Sequence, residues 1–120
     1  MMKTHKLFGI VLLVFFANAN AQDTLSSDPA ERGRQVTEWM KTNLQLSDDQ
    51  VPKVEAVNVR CAEKNIELEG AKMTKGSRQK YLVSNERYRD TELKKILNPE
   101  QYTIYETKKK EVMTKMMKKI

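Results

Sequence analysis

Few residues of this sequence are equipped to do chemistry. Its one histidine, His5, lies in a stretch read below as a removable leader, and its one cysteine is Cys61. The body of the chain therefore has no imidazole base, no Ser-His or Cys-His pair and no HExxH-type zinc site. Its four glycines are scattered and form no phosphate-binding loop. Glu63, Glu67 and Glu69 stand among Lys and Arg, as on a solvated helix face, not as a pair of acids in a pocket. The chain reads as a non-enzyme with no cofactor and no metal centre.

Chemistry concentrates instead near the C-terminus, where Lys108 to Ile120 reads KKKEVMTKMMKKI, with six Lys and three Met in thirteen residues. Methionine side chains adapt to many apolar shapes, and neighbouring lysines attract acidic segments. Lys108, Lys109, Met113, Met116 and Met117 are thus candidate binding residues for another polypeptide. The same stripe suits packing onto the chain's own core, or a basic amphipathic helix on an anionic membrane. Its three Met are also soft enough for copper(I), although no His or second Cys joins them.

Residues 1–21 set the compartment. Lys3, His5 and Lys6 precede an apolar run from Leu7 to Phe16, and Ala17-Asn18-Ala19-Asn20-Ala21 supplies small-x-small cleavage sites. That order is a secretory signal, too short in its apolar part to span a bilayer. The expected mature protein is exported, soluble in the periplasm, and not stably inserted in a membrane. Without Lys3 and Lys6 it carries 20 basic and 16 acidic residues. Residues 22–75 hold 8 basic against 10 acidic, and residues 76–120 hold 12 against 6. Export turns this basic half away from nucleic acid and toward acidic polypeptides, anionic lipid or envelope polymers. Cys61 has no intrachain partner, so its thiol is either buried or pairs with another chain; its place on an apolar helix face favours burial.

The elements that would position these residues are helices. Gln22 to Ser27 reads as a disordered lead, and residues 28–120 as one helical domain. Asp28 caps a first helix with Pro29 in its first turn and Glu31 three residues after the cap, running to about Asn43 with Val36, Trp39, Met40 and Leu44 on one stripe. Gly33 weakens its first turn slightly. The phrase LSDDQ, Leu46 to Gln50, opens the second helix. Ser47 and Gln50 form a capping box, Leu46 staples to Val51, and Asp48 and Asp49 suit the positive end of the helix dipole. From Asp48 the pattern continues to about Met73, roughly 26 residues or about 39 Å. Two stripes, Val54-Val57-Cys61-Leu68-Ala71 and Val51-Val59-Ala62-Ile66-Met73, call for partners on two sides.

Gly76 suits the end of that helix, with Gly70 an earlier stop, and Ser77 the cap of a third helix that carries Tyr81, Leu82, Tyr88, Leu93 and Ile96 inward to about residue 96. Arg89 falls on the same inner arc, either paired with Glu55 or Glu63 or lining an exposed surface. The phrase LNPEQ, Leu97 to Gln101, then opens the last helix with the same mechanics. Asn98 caps, Pro99 takes the first position, Gln101 closes the box and Leu97 staples to Tyr102. No segment alternates with period two, so the fold class is all-α, a chain of four helices with two long ones in the centre.

A leader followed by two LTxxQ-type phrases in a Lys/Glu-rich helical body resembles the CpxP/Spy family of small periplasmic proteins. LSDDQ and LNPEQ carry the resemblance, with VEAVNVRCAEK after the first and RDTELKKILNPEQYTIYE around the second, over about Leu44 to Tyr105. It implies an antiparallel hairpin of the two central helices, paired antiparallel with a second copy into an elongated homodimer. It also implies an ATP-independent chaperone or stress-response protein that holds unfolded envelope clients loosely, with the tail residues named above as first candidates for client contact. Ser47 and Asn98 stand where the family has Thr, and both cap well. The alternative is an accessory or regulatory subunit that binds one envelope partner, such as a sensor domain.

Overall fold

The computed structural model describes residues 25–116, with side chains described to Glu111. The expected leader, and residues 22–24 of the lead, lie outside that range. Among the described residues the protein is all-helical: α1 (Pro29–Leu44), α2 (Gln50–Gly70), α3 (Lys75–Ile96) and α4 (Pro99–Met116), with no strand. None of these helices is long and apolar enough to cross a membrane. The molecule is elongated, 54 × 31 × 22 Å, with a radius of gyration of 15.3 Å, where a compact domain of this size would have about 12 Å.

Each helix starts where a side chain can satisfy its first N–H groups. Asp28 accepts from the Glu31 N–H at 2.9 Å and Pro29 occupies the first turn. Thr74, not Ser77, caps α3, its Oγ1 accepting from the Ser77 N–H at 3.1 Å, so Gly76 lies in the first turn of α3 and does not end α2. α2 stops at Gly70, three residues short of the expected Met73, and Ala71 is extended. The cause lies in the next helix. Arg78 donates from Nε to the Leu68 carbonyl at 3.1 Å and from Nη2 to that of Ala71 at 2.7 Å, drawing off carbonyls that a longer α2 would use. α1 ends in a left-handed residue, Gln45 (φ 54°), with the Gln45 and Leu46 N–H groups both bonded to the Lys41 carbonyl.

α2 is the central helix. It packs against α1 along most of its length and against α3 on its other flank, while α4 lies mainly on α1 and only lightly on α3. Its buried residues, Val54, Val57, Asn58, Cys61, Ala62, Asn65 and Leu68, make one continuous face; Val51, Val59 and Ile66, expected on a second stripe, are half-buried. The two partners this helix needs are thus supplied within the chain. Gly33 permits the closest approach, since a Cβ there would lie 2.7 Å from the Val59 backbone nitrogen and Cα. Val36, Met40, Leu44, Val54, Cys61, Leu93 and Tyr105 form the main core.

The core also holds polar residues. Asn58 donates to the Thr37 hydroxyl at 2.9 Å and to the Met40 sulfur at 3.3 Å between α1 and α2. Arg32, fully buried, forms a two-pronged salt bridge with Glu69 at 2.8 and 3.3 Å and donates to the Ser26 carbonyl at 2.8 Å. Gln35 accepts from the Ser26 N–H at 2.9 Å, and Leu25 is buried. The end of the expected disordered lead, residues 25–27, is therefore pinned onto α1, because Leu25 anchors it and two α1 side chains satisfy its backbone.

Candidate functional site

The two repeated phrases meet. Ser47 Oγ accepts from the Gln50 N–H at 3.3 Å, while Gln50 Oε1 accepts from the Ser47 N–H at 2.9 Å. Asn98 and Gln101 repeat the exchange at 2.7 and 3.0 Å. Gln50 Nε2 then donates to Gln101 Oε1 at 2.7 Å, and Gln101 Nε2 to Gln50 Oε1 at 3.0 Å, closing an amide–amide ring. The remaining donor of Gln50 reaches the Ile96 carbonyl at the end of α3 at 3.1 Å. That of Gln101 reaches the Leu44 carbonyl at the end of α1, also at 3.1 Å. Each glutamine thus starts its own helix and caps the helix before the other phrase. Leu46 and Leu97 are buried beside the ring, with Val51 and Tyr102 packed against the same core. All the valences of both amides are used within the fold, so neither glutamine has a donor or acceptor left over for a ligand.

A second polar cluster joins α3 to α4. Arg89, 2% exposed, donates to the Tyr105 hydroxyl at 3.1 Å and pairs with Glu86 on its own helix, not with Glu55 or Glu63. Tyr105 donates to Asp90 at 2.6 Å, and Asp90 also accepts from Lys109 at 3.0 Å. Burial raises the Tyr105 pKa, against the pull of the Arg89 charge, so the phenol stays protonated. Burial acts against the Arg89 charge, but Tyr105 and Glu86 outweigh it and its pKa lies above the ordinary value. The bond to Asp90 raises the Lys109 pKa. Cys61 is buried with a free thiol, and its desolvation pushes the pKa up to about 12. An un-ionised thiol at neutral pH is a poor nucleophile and metal ligand.

The chemistry that stays open lies at the far half of α2. Between α2 and α3 runs a cleft of about 470 Å³ lined on the α2 side by Arg60, Lys64, Glu67 and Leu68, and at its end by Ala71 and Met73 of the linker. Tyr81, Ser84, Asn85 and Tyr88 line the α3 side. Asn85 fixes the two walls, donating to the Cys61 carbonyl at 3.1 Å and to Asn65 Oδ1 at 2.8 Å. The Arg60 guanidinium sits over the Tyr88 ring, 5.5 Å from its centre. Tyr81 is 57% exposed and Val83 44%, the two large apolar side chains most open to solvent among the described residues. Tyr81 was expected inward; the helix turns it to the cleft because Leu82, Arg89 and Leu93 already fill the buried line of α3.

Of the tail candidates, only Lys108 and Lys109 have described side chains. Lys109 is held by Asp90 and Lys108 is half-buried on α4. Met113 and Met116 lie on the last turns of α4, their side chains outside the described part, and Met117 lies outside the described residues altogether. The sequence reading missed the cleft, although Arg60, Lys64 and Leu68 recur every four residues on one line of α2 and Tyr81, Ser84 and Tyr88 on one line of α3.

A family model described as a domain of unknown function, DUF4890, matches residues 17–105. The chain belongs to that family. The DUF4890 match takes in both glutamine phrases, the Arg89–Tyr105 contact and the α2–α3 cleft, and it stops before Lys108 and the rest of the tail. No curated protein and no solved structure matches the chain.

Proposed function

We propose that this DUF4890 protein is an exported, ATP-independent chaperone-like protein of the periplasm that loosely holds unfolded or stress-damaged envelope proteins. The leader-like order of residues 1–21 supports export. The likeness of LSDDQ and LNPEQ to the paired phrases of the CpxP/Spy proteins supports the chaperone class. In this reading α2 and α3 act as an antiparallel hairpin, and two copies pair antiparallel into an elongated homodimer. The observation that carries the reading is the exposed aromatic and basic surface of the α2–α3 cleft, with Tyr81 open beside Arg60 and Lys64. Weak, adaptable contact with unfolded chains needs apolar side chains and charge that the fold itself does not use. Lys108, Met113, Met116 and Met117 remain candidates for client contact in the proposal, while Lys109 is engaged by Asp90.

The test is aggregation of an unfolding client protein without nucleotide. Suppression at equimolar chain is expected, and none at several-fold excess would refute the function. A single saturable partner in pull-downs, with no action on generic clients, would mark an accessory or regulatory subunit instead. Sedimentation of a well-folded monomer at micromolar concentration would remove the homodimer.

A further inference from the structure

We propose that the α2–α3 cleft is a binding site for one molecule of a free, single-chain anionic amphiphile of the fatty-acid type. This goes beyond the chaperone reading and does not depend on it. The cleft is polarised along its length. At one end Arg60 and Lys64 stand one helical turn apart beside Tyr88. At the other, Leu68 and Met73 face Tyr81, where Arg78 closes the linker onto the end of α2. The run along α2 from Arg60 to Leu68 spans about 12 Å, with the linker beyond it.

Neither cation is in a salt bridge among the described residues. Five of the described cations are held in salt bridges, Arg32 by Glu69, Arg89 by Glu86 and Lys109 by Asp90 among them, whereas the charges of Arg60 and Lys64 stay open to an incoming anion. Glu67 also lines the cleft, leaving its three charged side chains at a net of one positive. A carboxylate at the Arg60–Lys64 end would gain charge-assisted bonds, and a guanidinium over an aromatic ring keeps N–H donors for it. The apolar end would take a tail whose burial removes hydrocarbon from water. Head and tail at opposite ends match an amphiphile, whereas an unfolded polypeptide has no such fixed polarity.

The probe is dodecanoate below its micelle concentration, titrated calorimetrically into the full chain. Dodecyltrimethylammonium (same tail, opposite head) and acetate (same head, no tail) serve as controls. One dodecanoate should bind per chain, saturably, with both controls weaker by at least about tenfold. The exposed pair R60Q/K64Q should lower dodecanoate affinity by about tenfold or more while leaving the thermal unfolding curve in place, and Y81A should lower it by removing the apolar wall. Absence of saturation, equal binding of the cationic amphiphile, or dodecanoate binding that survives in R60Q/K64Q and so belongs elsewhere on the chain would each overturn the proposal. An acidic, aromatic peptide that binds in an Arg60- and Lys64-dependent way where dodecanoate does not would assign the cleft to polypeptide and overturn it as well.

Discussion

Where LSDDQ meets LNPEQ, Gln50 and Gln101 use every donor and acceptor on each other, on their own caps and on the ends of α1 and α3. At the far half of α2, Arg60 and Lys64 are in no salt bridge among the described residues, and Tyr81 is largely open to solvent. The first region is the one that repeats in sequence, and the second has no repeat at all. A repeated phrase draws attention as a duplicated site, yet here its chemistry is consumed by folding. Function is better sought where charged and apolar side chains stay open to solvent, since the fold does not use up their contacts.

Disrupting the glutamine end should have the largest effect. Gln101→Leu takes two of the four hydrogen bonds of the Gln50 amide, leaves the Leu44 carbonyl and the Asn98 N–H without the side chain that bonds them, and should lower unfolding stability by about 2–3 kcal/mol, read in urea. The middle of α2 gives the next effect, through pH. Cys61 keeps its proton to about pH 12 in the fold, whereas the unfolded thiol ionises near its ordinary value of about 8.5. The folded pKa is raised, so this contribution is complete below the unfolded value and is lost as pH rises through the window up to about 12. The loss should approach about 1.4 kcal/mol per pH unit. Tyr105, also raised by burial, joins it once the unfolded phenol begins to ionise. Cys61→Ala should flatten the slope below the tyrosine range; an unchanged slope would show that the thiol is not the titrating group.

Removing a cap is milder. Ser47→Ala or Asn98→Ala should each cost about 1 kcal/mol, because the glutamine ring survives when one capping oxygen is lost. At the open end the effect should be smallest. R60Q/K64Q should change stability by less than about 1 kcal/mol, as expected of exposed side chains in no salt bridge, with the Arg60–Tyr88 stacking supplying what loss there is. A larger loss there would erase the contrast between the two ends.

What the sequence made legible was local. Asp28 with Pro29, Ser47 with Gln50, and Asn98 with Gln101 act over three residues, so the starts of α1, α2 and α4 could be read from spacing alone. The stop of α2 could not, because Arg78 sets it from the following helix. The pairing of Gln50 with Gln101 was equally hidden, since a capping box accounts for each glutamine without naming a second partner. Asn58, Asn65 and Arg32 were missed as core because polar residues in a helical pattern ordinarily face water, and Arg89, placed on the inner arc of α3, has Glu86 and Tyr105 as partners in place of Glu55 or Glu63. For the open cleft the signal was present, as cations and aromatics on facing lines of α2 and α3. The Lys/Met density of the tail drew attention away from it, and Lys109 of that tail turned out to be tied to Asp90.

A double-mutant cycle on Gln50→Leu and Gln101→Leu, measured by urea unfolding, tests most directly the claim that the two phrases form one clasp. Each single change takes two hydrogen bonds from the other amide, whereas the double change removes both amides. The double variant should therefore lose less than the sum of the singles, with a coupling of about 1–2 kcal/mol. Losses that add to within about 0.5 kcal/mol would mean that the glutamines act separately, each as the cap of its own helix and nothing more.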